Sequence, residues 1–182
     1  MIWENKAIYL FGDMDGKTSA ESGQVGSRLD WQLTNRFFSS YELQAIRDRF
    51  KNYGSRFLPA AGAGYKVVEE KTISVVLDAD LSEVFTKYYD TDDTASYAAL
   101  KGGERLVWKL SETAEVNEKA ELIPDVSDLS YYFLRVEANL ITAIAKSWSV
   151  KLTFIDSFDN KPVGLGIKKN DIILIAGISR KF

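Results

Sequence analysis

Cysteine and histidine are both absent from the 182 residues, and proline and methionine are scarce, at 3 and 2. Without cysteine there is no disulfide and no thiolate nucleophile, and without histidine the imidazole base and the commonest zinc ligand are gone. The chain therefore reads as a non-enzyme with no cofactor and no metal. Asp78 with Asp80, or Asp92 with Asp93, offers a carboxylate pair, and Asp90-Thr91-Asp92-Asp93 forms an acidic stretch. That stretch lacks the ligand order of an EF-hand, and a structural or solvated role is the simpler reading. A basic excess is also missing: the formal net charge is -3 and the pI is about 5.2, so there is no footprint for nucleic acid. No apolar run approaches the roughly 18 residues of a membrane helix, which leaves strands as the only means of crossing a membrane. No Pro/Gly/Ser-rich linker divides the chain, and one domain over residues 1–182 is expected. Met1-Ile2-Trp3-Glu4 has neither the basic start nor the apolar stretch of a signal peptide. The expectation is a chain that stays in the cytoplasm or begins behind a removed export signal.

What the chain does have is alternation with period two. In its last stretch Ile172, Leu174, Ala176, Ile178 and Phe182 fall on one face, and Asp171, Gly177, Ser179 and Lys181 on the other. Ile73 to Thr86 is the clearest strand, with Ile73, Val75, Leu77, Ala79, Leu81 and Phe85 alternating against Ser74, Asp78, Asp80, Ser82 and Thr86. Trp148 to Phe158 and Phe37 to Asp48 repeat the pattern. Further strands are read over residues 3–11, 21–33, 57–68, 97–110, 114–124 and 130–144. The connections alternate: long at Gly12 to Ser19, Arg49 to Arg56, Lys87 to Ser96, Asp125 to Leu129 and Asp159 to Lys168, and short between them. An up-and-down antiparallel β-barrel of about ten strands follows, with long loops at one end and tight turns at the other.

Trp3, Trp31, Trp108 and Trp148 all lie near the short-turn end, which is where an interfacial belt of amphipathic rings would stand. Tyr9, Phe11, Phe57, Phe85, Tyr97 and Phe158 form a candidate second girdle. The opposite phase assigns to the lumen Glu42, Asp78, Asp80, Glu115, Glu121 and Glu137, with Lys101, Arg105, Lys119, Arg135 and Lys151. Opposite charges enclosed together would pair, and about ten strands would leave a narrow or plugged lumen.

Three acids oppose a lipid-facing assignment, since Glu83, Glu104 and Glu118 fall on the apolar phase. Ser39-x-x-Glu42 also has capping-box form, with Leu43, Ile46 and Phe50 following at helical spacing, and Leu134 to Lys146 reads as helix or strand. The alternative to a membrane barrel is a water-soluble up-and-down barrel, natural or redesigned, with the phases inverted. Such a barrel would hold a small apolar ligand or have no natural function.

Several pieces taken together carry a family resemblance. They are Leu33-Thr34-Asn35-Arg36-Phe37-Phe38, Arg47-Asp48-Arg49-Phe50, Ala61-Gly62-Ala63-Gly64-Tyr65, Trp108-Lys109-Leu110-Ser111-Glu112-Thr113, Pro124-Asp125-Val126-Ser127-Asp128 and Asp159-Asn160-Lys161-Pro162. In this order, from about Glu21 onward, the chain resembles the bacterial salt-induced outer-membrane protein family. The resemblance implies a bacterial outer-membrane location, lipid as the surrounding partner and a link to salt or osmotic stress. It also implies that the terminal Phe182 is read by the barrel-assembly machinery. Members of that family are expected to carry a signal peptide and about two further strands ahead of the matching part.

Overall fold

In a computed structural model the chain is described over residues 1–14, 17–91, 93–164 and 167–180. Ten strands form one sheet in chain order, each antiparallel to the next. They are β1 (Ile2–Met14), β2 (Lys17–Gln32), β3 (Phe37–Asp48), β4 (Tyr53–Glu69), β5 (Ile73–Tyr88), β6 (Thr94–Lys109), β7 (Ala114–Pro124), β8 (Tyr132–Ala145), β9 (Trp148–Asp159) and β10 (Asn170–Arg180). The up-and-down all-β architecture is the one expected from the alternation. Both stretches with helical character, around Ser39 and from Leu134, are strand, because cross-strand pairing overrides local capping signals.

The strands run further toward the long-connection end than their sequence suggests. Gly12, Asp13, Lys17 and Thr18 are paired residues of β1 and β2, and Tyr53 to Arg56 belong to β4. Connections at that end include 49–52, 89–93, 125–131 and 160–169, against 33–36, 70–72, 110–113 and 146–147 at the other. Turn-forming residues in the first two stretches mislead, because a paired partner strand outweighs their local preference.

The sheet rolls into an incomplete barrel. Lys6 on β1 reaches Glu137 on β8, and Tyr53 on β4 reaches Asp159 on β9. Among the described residues β1 pairs with β2 alone and β10 with β9 alone.

Burial is inverted relative to a protein with an oily core. Asp80 is 1% exposed, and Arg56 and Lys101 are 3%, while Leu174, Tyr9 and Leu81 are 75%, 72% and 71% exposed. The polar phase faces inward and the apolar phase outward, the reverse of the phases that a soluble barrel around an apolar ligand needs. One glycine-rich strand allows the curl. On β4, Ala60, Gly62 and Gly64 lie on the inward phase between β3 and β5. A Cβ on Gly62 would stand 2.1 Å from the Ala79 carbonyl oxygen, and one on Gly64 would stand 2.1 Å from the Phe38 ring. Outward-facing Gly102 has nothing within 4 Å.

Gly62→Ala is therefore expected to cost about 1–3 kcal/mol by overpacking, whereas Gly102→Ala should stay within about 0.5 kcal/mol of the parent. Equilibrium urea unfolding measures both, and equal effects would contradict the close approach over β4.

Candidate functional site

The inward side chains stack in three layers, and strand register dictates each of them. Nearest the short-turn end is a charge layer with Arg28 at its centre. Arg28 stands directly opposite Glu42 on β3, and its guanidinium spans the small residues of β4 to reach β5. Its nitrogens lie 2.9 Å from Asp30, 3.1 Å from Glu42, 3.2 Å from Asp78 and 3.5 Å from Asp80. Lys101, opposite Asp80 across β5 and β6, is bonded to Glu42 and lies 2.9 Å from Glu121. Arg105 lies 2.9 Å from Asp30, and Lys119 lies 3.1 Å from Glu121. Glu137 is held by Lys6 and by Arg135 at 3.6 Å.

Six carboxylates (Asp30, Glu42, Asp78, Asp80, Glu121, Glu137) thus face six cations (Lys6, Arg28, Lys101, Arg105, Lys119, Arg135). Enclosed charges require such matching, because an unpaired buried ion costs several kcal/mol. Asp78 and Asp80 share Arg28 and are not a free acid–base pair.

Above the charges lies an apolar layer of Leu58, Val84, Ala99 and Ile123, packed by Ile46, Tyr97 and Phe133. It corrects the expectation of a lumen filled with charge from end to end: the inward phase turns apolar halfway up the strands. Tyr97 is corrected with it. It shares the inward phase of Ala99 and Lys101 and does not join an outer girdle.

The third layer closes the long-connection end. Arg56 donates to the Tyr53 hydroxyl at 2.6 Å and to the Tyr97 hydroxyl at 2.7 Å, with its guanidinium 5.5 Å from the centre of the Phe133 ring. Tyr53 in turn donates to Asp159 at 3.0 Å, which places the balancing carboxylate one hydroxyl away from the cation. Two interior cavities among the described residues are small, about 40 Å³ among the charges and about 60 Å³ beside Ile46, Phe133 and Ile155. Ligand pockets usually measure about 300–1,000 Å³.

Of the lumen residues expected from sequence, Glu42, Asp78, Asp80, Lys101, Arg105, Lys119, Glu121, Arg135 and Glu137 come together in the charge layer. Glu115 and Lys151 have the inward phase, but they are half-exposed and make none of these pairs. Arg28, Asp30, Lys6 and the Arg56 layer were not foreseen. Arg28 and Asp30 carried the period-two signal, whereas Arg56 was hidden in a stretch read as loop. Trp3, Trp31, Trp108 and Trp148 are all exposed, face outward and stand at the short-turn end. Glu83, Glu104 and Glu118 do face outward, and Asp156 joins them. Phe182 and the Asp92 pairing lie outside the described residues. Among the described residues no group of three or more ligating side chains could hold a metal ion.

Two of the family-like motifs meet at the long-connection end. Lys161 lies 2.9 Å from Asp128, Asn160 donates to the Ser130 carbonyl at 2.5 Å, and Asp128 accepts from the Ser130 amide at 3.0 Å. These bonds clip 160–169 onto 125–131. Asn52, at φ 61°, supplies the left-handed turn that asparagine tolerates and accepts the Tyr89 and Asp90 amides at 3.1 and 2.9 Å. The Ser130 hydrogen bonds, followed by Lys161, lower the Asp128 carboxyl to about 2.

Over residues 2–182 the chain matches the family described as "Protein of unknown function, DUF481". No curated protein matches it.

Arg28→Met removes the cation that Asp30, Glu42, Asp78 and Asp80 share in the interior and should destabilise by about 3–5 kcal/mol; Arg28→Lys keeps the charge but not the fork and should fall between. Urea unfolding reads both, and a neutral Arg28→Met would contradict the layer. The Asp128 carboxyl titrates below its unfolded value of about 3.9, so the clip should be intact above that pH and lost as pH falls through about 2. Amide exchange in 160–169 should rise across that window and should already be fast at neutral pH in Asp128→Asn.

Proposed function

The chain belongs to the DUF481 family, and for this member we propose an integral outer-membrane β-barrel whose role is structural, with at most weak conductance. The observation that carries the reading is the inverted burial: a continuous outer face of Tyr9, Val25, Leu43, Leu81, Leu152 and Leu174 around a core of matched charges. In water such a face would exceed the few hundred Å² of apolar patch that soluble monomers tolerate. In lipid it is the expected exterior of a barrel whose polar groups pair inside.

The strands, from 11 to 17 residues long, are ample for a span of about 9–11 tilted residues. With a tilt of about 40°, each residue advances about 2.5 Å through the membrane. The four exposed tryptophans would then mark one interface. Ile73 faces Trp108, and Glu83 lies ten residues beyond it (73 to 83), about 25 Å higher and therefore at the opposite boundary, where an acid costs about 0–1 kcal/mol. Asp156, eight residues beyond Trp148 (148 to 156), lies just inside that boundary. Glu104 and Glu118 lie deeper and cost more, though less than Arg or Lys would there.

The apolar and Arg56 layers argue for a sealed lumen in place of a porin-like channel. The resemblance to salt-induced outer-membrane proteins supports a role in salt or osmotic stress. Catalysis plays no part in the reading, since each interior carboxylate of the charge layer is held by a cation.

The test is detergent dependence. Purified protein should give a β-type circular dichroism spectrum and a heat-modifiable gel band in micelles only, and near-silent planar bilayers. A monodisperse β protein in plain buffer would sink the lipid-facing assignment.

A further inference from the structure

The outward face carries a groove of about 650 Å³ across β1 to β4, on the half nearest the long connections. Register explains its shape. Tyr9 faces Gly23, Ala7 faces Val25, Val25 faces Ala45, and Ala45 faces Phe57, so four small or slim residues make a floor between two exposed aromatic walls. Arg47 stands at the upper end, directly opposite Gly23 and on the same outward phase as Ala45. Its side chain is exposed and makes no hydrogen bond or ion pair among the described residues. The next outward carboxylate on β2, Glu21, is held 3.3 Å away by Arg49, which leaves the Arg47 guanidinium uncompensated. Ser55 and Lys87 continue the row on β4 and β5 and border a second depression beside Phe57 and Phe85.

Depth gives this pairing of groove and cation its meaning. Trp31 faces Ser39, and Arg47 lies eight residues further along β3 (39 to 47), about 20 Å toward the long connections. The Arg47 backbone there stands just inside the boundary, at the depth of Asp156, and its long side chain reaches the headgroups, with the groove descending from it into the hydrocarbon. We propose that the groove holds an acyl chain of an anionic, phosphate-bearing lipid whose phosphate is bonded by Arg47. Arginine meets phosphate through two parallel N–H groups, and a headgroup with no choline cation beside its phosphate leaves that charge for the guanidinium to balance. The site rests on the membrane-barrel reading above.

Native mass spectrometry tests it, on protein folded into phosphatidylcholine bilayers containing a minority of phosphatidylglycerol. The parent protein should retain one phosphatidylglycerol in preference to phosphatidylcholine. Arg47→Gln should weaken that preference about fivefold. Gly23→Leu should abolish retention without disturbing the fold, since a Cβ there meets only the Tyr9 ring at 3.7 Å. Lys71→Gln, in a short turn at the other end, should change nothing. Parent-like retention in both Arg47→Gln and Gly23→Leu would overturn the site. Loss in Arg47→Gln alone would overturn the chain-binding groove and leave only surface charge. Protein that never acquires the heat-modifiable band in bilayers would refute the membrane barrel itself, an outcome distinct from a folded barrel that fails to select the lipid.

Discussion

Arg28 reaches three carboxylates on two other strands besides its own neighbour Asp30, and the rest of the structure is arranged so that it can. A guanidinium satisfies several acids at once only if their strands converge, and convergence needs a strand with almost no side chains between them. β4 is that strand: its inward glycines bring β2 and β3 within reach of β5 and β6, and a Cβ on Gly103 of β6 would stand 2.4 Å from the Asp78 carboxylate. The curl of the sheet, the matched charges and the small residues are one constraint seen from three sides. Remove the charge matching and the interior holds uncompensated ions; remove the glycines and the ions cannot meet.

The layering above Arg28 gives the interior direction. Charges fill the half near the short turns, Leu58, Val84 and Ile123 the middle, and Arg56 with its tyrosines the top. An ion entering from either end would meet the apolar layer of Leu58, Val84, Ala99 and Ile123. The clip between 125–131 and 160–169 then braces the end at which Asp159 anchors the top layer. Together these features describe a curled sheet whose interior is packed in three layers, two polar and one apolar.

Much of this was legible in the chain. Alternation placed β3 and β7 at their observed bounds and gave the correct outward and inward faces of β5, β9 and β10. What was not legible depends on contacts between residues distant in sequence. Arg56 sits among turn-forming residues, and only the pairing of β4 with β5 makes that stretch a strand. Val84 lies on a phase dominated by Asp78, Asp80 and Thr86, so its membership of an apolar layer appears only once Leu58 and Ile123 are brought beside it. Tyr97 looked like a girdle aromatic because its depth was right; its phase, set by Ala99 and Lys101, turns it inward. Arg28 was visible as an inward charge, but its rank as hub follows from the curl, which no local pattern encodes.

The central claim is that the outer face lies in lipid, with the four tryptophans at one interface. Tryptophan fluorescence in vesicles of lipids brominated at successive chain depths measures this directly. The account predicts quenching that is strongest for bromine near the headgroup and falls steadily toward the chain end, because Trp3, Trp31, Trp108 and Trp148 share one shallow level. No quenching at any depth, or a maximum at the bilayer centre, would contradict it.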